Sequence, residues 1–141
     1  MLEEGRLIRF NNFVFKNGAR PKPKYFIVLK RLGEDLIMAS LPTSQDHLPD
    51  SALITHGCVN IPERCISAFV FAPGSKVTEA FAFPLRTYVY GEQVDEYSLC
   101  YLKSMPAGYE DLGQIHPTVF SELCYCLKHS PLIKRKYARV L

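Results

Sequence analysis

Between Gly18 and Pro42 lies the stretch that most narrows what this chain can fold into. Pro21-Lys22-Pro23 holds the backbone extended and removes two ladder donors, which marks a strand entrance rather than a strand interior. Tyr25-Phe26-Ile27-Val28-Leu29 follows as an unbroken apolar run of high β-propensity, the pattern of a strand buried on both faces. Gly33-Glu34-Asp35 supplies a turn, and Leu36-Ile37-Met38-Ala39-Ser40-Leu41 returns until Pro42 stops it. Two strands paired this way bring Arg20 and the Thr43-Ser44 pair to one edge of a sheet. A cation and hydroxyls gathered there make a corner suited to a phosphate.

The wording of this corner resembles the MazF/PemK (Kid) family of toxin endoribonucleases. Gly18-Ala19-Arg20-Pro21 is similar to the turn that precedes one core strand of that family. Pro42-Thr43-Ser44-Gln45 is similar to the segment that ends the next. Thr87-Tyr88-Val89-Tyr90-Gly91-Glu92-Gln93-Val94 looks like the family's late strand, with Glu92 in place of an aspartate and Tyr90 where some members carry an arginine. The three blocks fall in the family's order and span residues 18–94. The resemblance implies a small, strongly bent, SH3-like partly open barrel, mainly β with C-terminal helices, of the MazF/PemK/CcdB kind. It also implies a metal-independent cleavage of single-stranded RNA, no cofactor, a cognate antitoxin and a homodimer.

Cleavage without a metal needs a base for the 2′-hydroxyl, a cation or donors for the phosphorane oxygens, and an acid for the leaving 5′-oxygen. Arg20 suits the phosphorane, because its planar fork holds two oxygens and stays charged at any working pH. Thr43, helped by Ser44, can donate to a phosphate oxygen. Glu92 matches the family's acidic position, while His47 has the better unperturbed pKa for proton transfer near neutrality. Gln45, His47, Lys22 and Tyr90 complete the expected substrate-binding set, with Tyr90 able to stack a base. Each residue also has a plainer reading: a surface arginine, a self-satisfied Thr-Ser turn, tyrosines that pack a sheet.

Charge supports an anionic partner. Residues 1–31 carry a net +6, residues 32–127 a net −8, and residues 128–141 a net +5, all cations and no acid. Basic ends flanking an acidic middle fit phosphate contacts, which supply most nucleic-acid affinity. A solvated, solubilising surface is the other use of such charge.

A chain of 141 residues, 48% hydrophobic, is sized for one compact domain with its own core. No apolar run approaches bilayer length, and residues 1–9 lack the apolar centre of a signal peptide, so the expected compartment is the cytoplasm, with no membrane partner. Cys58, Cys65, Cys100, Cys124 and Cys126 form an odd set without a Cys-x-x-Cys pair, which argues against a disulfide framework and against structural zinc. His56, Cys58 and Cys65 make only a partial metal cluster.

Further strands are expected at 52–55, 66–72, 81–83 and 87–90, with Pro62 barring a central strand in the 56–64 connection. A short helix is expected over 97–103 with Asp95 as its cap. A longer one is expected over 117–129, with Pro117 at its first position and Phe120, Leu123, Cys124 and Leu127 on one face. A basic tail, 130–141, follows, able to pack Leu132, Ile133 and Tyr137 at its base. Phe69, Phe71, Phe81 and Phe83 are expected to leave an apolar flank for a dimer whose joined surfaces form one RNA groove. Two other functions fit the same sequence: a non-catalytic, protein-binding toxin of the CcdB kind, and a plain nucleic-acid-binding module.

Overall fold

The structure, a computed structural model, describes residues 2–41 and 56–141. Thr43, Ser44, Gln45, His47 and the strand expected at 52–55 lie outside the described residues.

The described chain is mainly β with a few helices, an α+β arrangement. The strands are β1 (Arg6–Phe13), β2 (Lys22–Leu32), β3 (Asp35–Ser40), β4 (Gly57–Ile61), β5 (Ile66–Phe71), β6 (Thr87–Tyr90), β7 (Val94–Ser98) and β8 (Tyr109–Gln114). The helices are α1 (Leu99–Lys103), α2 (Pro117–Lys128) and α3 (Arg135–Ala138). One antiparallel sheet runs in the order β7-β3-β2-β1-β8, and a second in the order β4-β5-β6.

The β2–β3 hairpin forms as its sequence dictates. Leu32 pairs with Asp35 across the turn, and Gly33 sits at φ +65°, a backbone conformation that glycine adopts without steric cost. At the open end Phe26 pairs with Ser40, and the Leu41 amide donates to the Tyr25 carbonyl at 3.0 Å. Pro23 costs no ladder bond, because the β1–β2 register shifts between Phe10 and Phe13, opposite it.

Both faces of the five-stranded sheet are covered. One face presents Leu7, Ile27, Leu29, Ile37, Ala39 and Leu41 to β5, α2 and α3. The other presents Ile8, Phe10, Phe26, Val28, Leu36 and Met38 to Leu102 of α1 and to Met105. Such two-sided burial explains why β2 and β3 read as continuous apolar runs.

Several expectations are corrected. Residues 81–83 are not a strand; a single bridge joins Lys76 to Ala82, and the Val77 amide donates to the Phe81 carbonyl, closing a tight loop. The phenylalanines expected on an open flank fill one core instead: Phe69, Phe71 and Phe83 are buried, Phe71 meets Phe83 at a tilt, and Phe83 meets Phe81 edge to face. The helix expected over 97–103 begins only at Leu99; Ser98, whose hydroxyl accepts from the Tyr101 amide, is its cap, and Asp95 lies within β7. Residues 57–61 of the supposed connection form β4, which Pro62 ends. The cysteine reading is overturned as well: Cys58 of β4 and Cys126 of α2 form a disulfide across 68 residues, while Cys65, Cys100 and Cys124 are free thiols. Odd number and irregular spacing conceal a single long-range pair.

α2 keeps its expected bounds to within a residue, with Pro117 at the first turn and Leu123, Cys126 and Leu127 buried. Among the described residues no helix is long and apolar enough to cross a membrane.

Candidate functional site

The connection from β1 to β2 does not take the short way. Although β1 and β2 are neighbours, Lys16 in this connection reaches β7, two strands beyond β2: its ammonium lies 3.3 Å from Asp95 Oδ2 and 4.2 Å from the Tyr97 ring centroid, and it donates to the Glu96 carbonyl. Tyr101 ties down the same connection by donating to the Val14 carbonyl. Residues 14–21 therefore arch over the open end of the β2–β3 hairpin. Local geometry sets the arch: the Gly18 amide donates to the Phe15 carbonyl, Gly18 stands at φ +79°, and Asn17 Oδ1 accepts from the Ala19 amide at 2.9 Å.

Between arch and strand ends lies a cleft of about 520 Å³. Lys16, Arg20, Lys22 and Lys24 contribute cations to it, Ser40 closes the end of β3, and Gln93, Asp95 and Tyr97 form the far wall. The strand registers place Lys24, Ser40, Asp95 and Tyr97 on the sheet face that carries Phe26 and Met38. One face is thus aromatic at its centre and cationic at its end.

The end of β3 meets the third sequence block. Ser40 Oγ donates to Gln93 Oε1 at 3.1 Å, which fixes the turn formed by Gly91–Gln93 against the end of β3. Gly91 is required there, since a Cβ would stand 2.5 Å from Ser130 Oγ and 3.1 Å from the Ile133 backbone nitrogen. Of the residues expected at the site, Arg20 and Lys22 line the cleft. Glu92 is exposed on the turn, one residue from Gln93, and does not line it. Tyr90 packs beside Tyr88 on the second sheet, with ring centroids 6.0 Å apart, and is not part of the lining either.

Lys16, Lys24, Ser40, Gln93 and Asp95 were not expected. Charge density along residues 1–31 points to the two lysines, but only the arch brings Lys16 to a partner nearly eighty positions away. The cleft's electrostatics are those of an anion site. Arg20, Lys22 and Lys24 form no ion pair with a described residue. Burial, and then repulsion from Lys22, hold the Lys24 ammonium below its usual pKa, so a bound anion would relieve both cations. Asp95 is the one carboxylate among the described lining residues. Burial alone would raise its pKa, but the Glu96 amide at 2.7 Å, the Tyr137 hydroxyl at 2.9 Å and Lys16 outweigh burial and hold it below the usual carboxylate value. With those donors in place, Asp95 anchors the arch.

Among the described residues no three His, Cys, Asp or Glu side chains converge as a metal-binding group. No family model matches the chain, and no curated protein is detectably similar to it.

Proposed function

We propose that this protein is a metal-independent endoribonuclease, the toxin of a toxin–antitoxin pair, that cuts single-stranded RNA such as mRNA in the cleft under the arch. The observation that carries the reading is the convergence of Arg20 and Lys22 with Lys16 and Lys24 at the open end of the β2–β3 hairpin. The 2′-oxygen attacks the adjacent phosphorus, the bond to the 5′-oxygen breaks, and the products end in a 2′,3′-cyclic phosphate and a 5′-hydroxyl. Arg20 takes the charge that develops on the phosphorane oxygens. Thr43, with Ser44 and Gln45, positions the scissile phosphate from the segment that follows β3. Glu92, beside the cleft, serves as the base, with His47 the other candidate. The wider reading includes a partly open, SH3-like barrel made from the two sheets, a homodimer, inhibition by an antitoxin, and a cytoplasmic location.

The test is incubation of the purified protein with long transcripts in EDTA. Cleavage leaving cyclic phosphate ends is expected. RNA that stays intact across several unrelated transcripts overturns the reading, and activity abolished by EDTA overturns its mechanism. A second reading is a nucleic-acid-binding module without chemistry, favoured by Glu92 standing outside the lining while Asp95 is already engaged by donors. Tight binding with no cleavage would establish it.

A further inference from the structure

The C-terminal segment is basic without interruption: Lys128, Lys134, Arg135, Lys136 and Arg139 with no acid after residue 127. The fold does not leave it hanging. Tyr137 of α3 is buried in the core on the side of the sheet opposite the cleft, and its hydroxyl reaches round the edge strand β7 to donate to Asp95 Oδ1 at 2.9 Å. That same carboxylate holds Lys16 of the arch at 3.3 Å. Beyond it, the Lys136 ammonium lies 5.1 Å from the Tyr137 ring centroid, and Lys128 Nζ donates to the Leu141 carbonyl at 3.2 Å, so the segment is pinned at both ends. Lys134, Arg135, Lys136 and Arg139 are exposed, and none forms an ion pair with a described residue. Two basic segments more than a hundred positions apart thus meet at one carboxylate.

We infer that the nucleic-acid path does not end in the cleft but continues round β7 onto α3, whose cations bind the phosphates of nucleotides flanking the cleavage site. The inference rests on the reading of the cleft as an RNA site. A pinned array of cations with no ion-pair partner among the described residues suits a flexible polyanion, because ordering it has been completed during folding and each phosphate contact releases a counterion. The flanking contacts are sequence-independent. They lengthen the footprint rather than define a recognition word.

The experiment uses 2′-O-methyl oligonucleotides, which carry the phosphates and lack the nucleophile, in two lengths: a tetranucleotide that fills the cleft and a strand about five times longer. A variant combining Lys134→Gln, Arg135→Gln, Lys136→Gln and Arg139→Gln keeps Tyr137 and is compared with the parent by fluorescence anisotropy over a salt series. Affinity for the long strand is expected to fall about tenfold, and the slope of log K against log salt to shrink by about 2. Tetranucleotide affinity is expected to hold. Equal loss for both lengths, or no loss for the long strand, overturns the inference. Arg20→Ala separates the two levels: if it weakens both lengths while the tail variant weakens neither, the cleft reading stands and the path does not. A parent that binds neither length removes both.

A long strand carrying 4-thiouridine near its ends provides a readout that needs no variant. Photocrosslinks to residues 134–139 are expected, and crosslinks confined to the arch overturn the path. Should the tail variant lose affinity for oligo-glutamate alone, with RNA unaffected, the surface serves an acidic protein instead and the inference fails.

Discussion

Where α2 meets the second sheet, apolar burial and a covalent bond hold the molecule together; where the arch meets the hairpin, polar contacts do. The α2 seam joins Leu123 and Leu127 to Phe69 and Val89 in one buried cluster and adds a covalent bond, Cys58 to Cys126. The cleft is held by the Lys16–Asp95 pair, whose side chains are 45% and 44% exposed, by a cation over a ring, and by hydrogen bonds along a connection. Apolar burial is not screened by salt, whereas exposed ion pairs contribute little and are screened. The contacts that stabilise the fold and the proposed cleavage site therefore lie in different regions, and damage to each should leave the other standing.

The largest expected effect breaks the α2 seam. Phe69→Ala removes a ring packed 5.2 Å from that of Phe71 and should cost about 3–5 kcal/mol, read as a loss of midpoint in urea. Next comes the disulfide: a loop of this length predicts about 4 kcal/mol of chain-entropy stabilisation, so Cys58→Ser with Cys126→Ser should lower the urea midpoint strongly, as should dithiothreitol on the parent. Cys58 is exposed and open to reductant, whereas burial pushes the neighbouring Cys124 thiol up to about 11, so Cys124 is a poor exchange partner. Cleavage measured on the fraction still folded should be unchanged. A disulfide variant that stays folded but loses cleavage would show that the two regions are coupled.

The arch region should behave in reverse. Arg20→Ala is expected to lower single-turnover cleavage by about 10²–10³-fold and to shift stability by no more than about 0.5 kcal/mol. A large drop in thermal midpoint would make Arg20 structural.

Tyr137 lies on the border and gives the smallest effect. Tyr137→Phe keeps the ring and loses the bond to Asp95, worth ~1 kcal/mol at neutral pH once the exposure of the carboxylate is allowed for. The sign with pH is definite. Asp95 is depressed, so its contribution is present above its unfolded pKa and lost as pH falls through the folded one. Tyr137 is raised to about 12, burial being the first cause and its bond to Asp95 the second, so its contribution is present below its unfolded pKa and lost as pH rises towards 12. The gap between the stability curves of parent and variant should narrow at low pH and again as pH rises towards 12. A constant offset across the whole range would place the loss in packing.

How much of this was legible beforehand follows the same division. The hairpin could be read because a strand buried on two faces needs an apolar run and its ends need proline and glycine. β8 could not: its Tyr109, Glu110 and Asp111 are exposed, as suits a polar edge strand, and leave no alternation to read. Asp95 looked like a helix cap because cap residues and strand-end carboxylates share a composition; Ser98, three residues on, had the better claim and took it. Arg20 and Lys22 were visible through local backbone chemistry. Lys16 was not, since nothing in its neighbourhood announces an arch that ends on β7. The disulfide was hidden for the same reason, its two halves lying on elements whose contact only the fold creates.

Gly91 sets a limit on how this chain can change over generations. Any side chain there collides with Ser130 and crowds the backbone at Ile133, on the link that delivers α3 to Asp95. A change at Gly91 therefore has to be met by a change at Ser130 or by a shift of the segment at Ile133. In descendants of this sequence glycine at 91 should persist wherever the Tyr137 hydroxyl is kept, and should be released where the tail is lost.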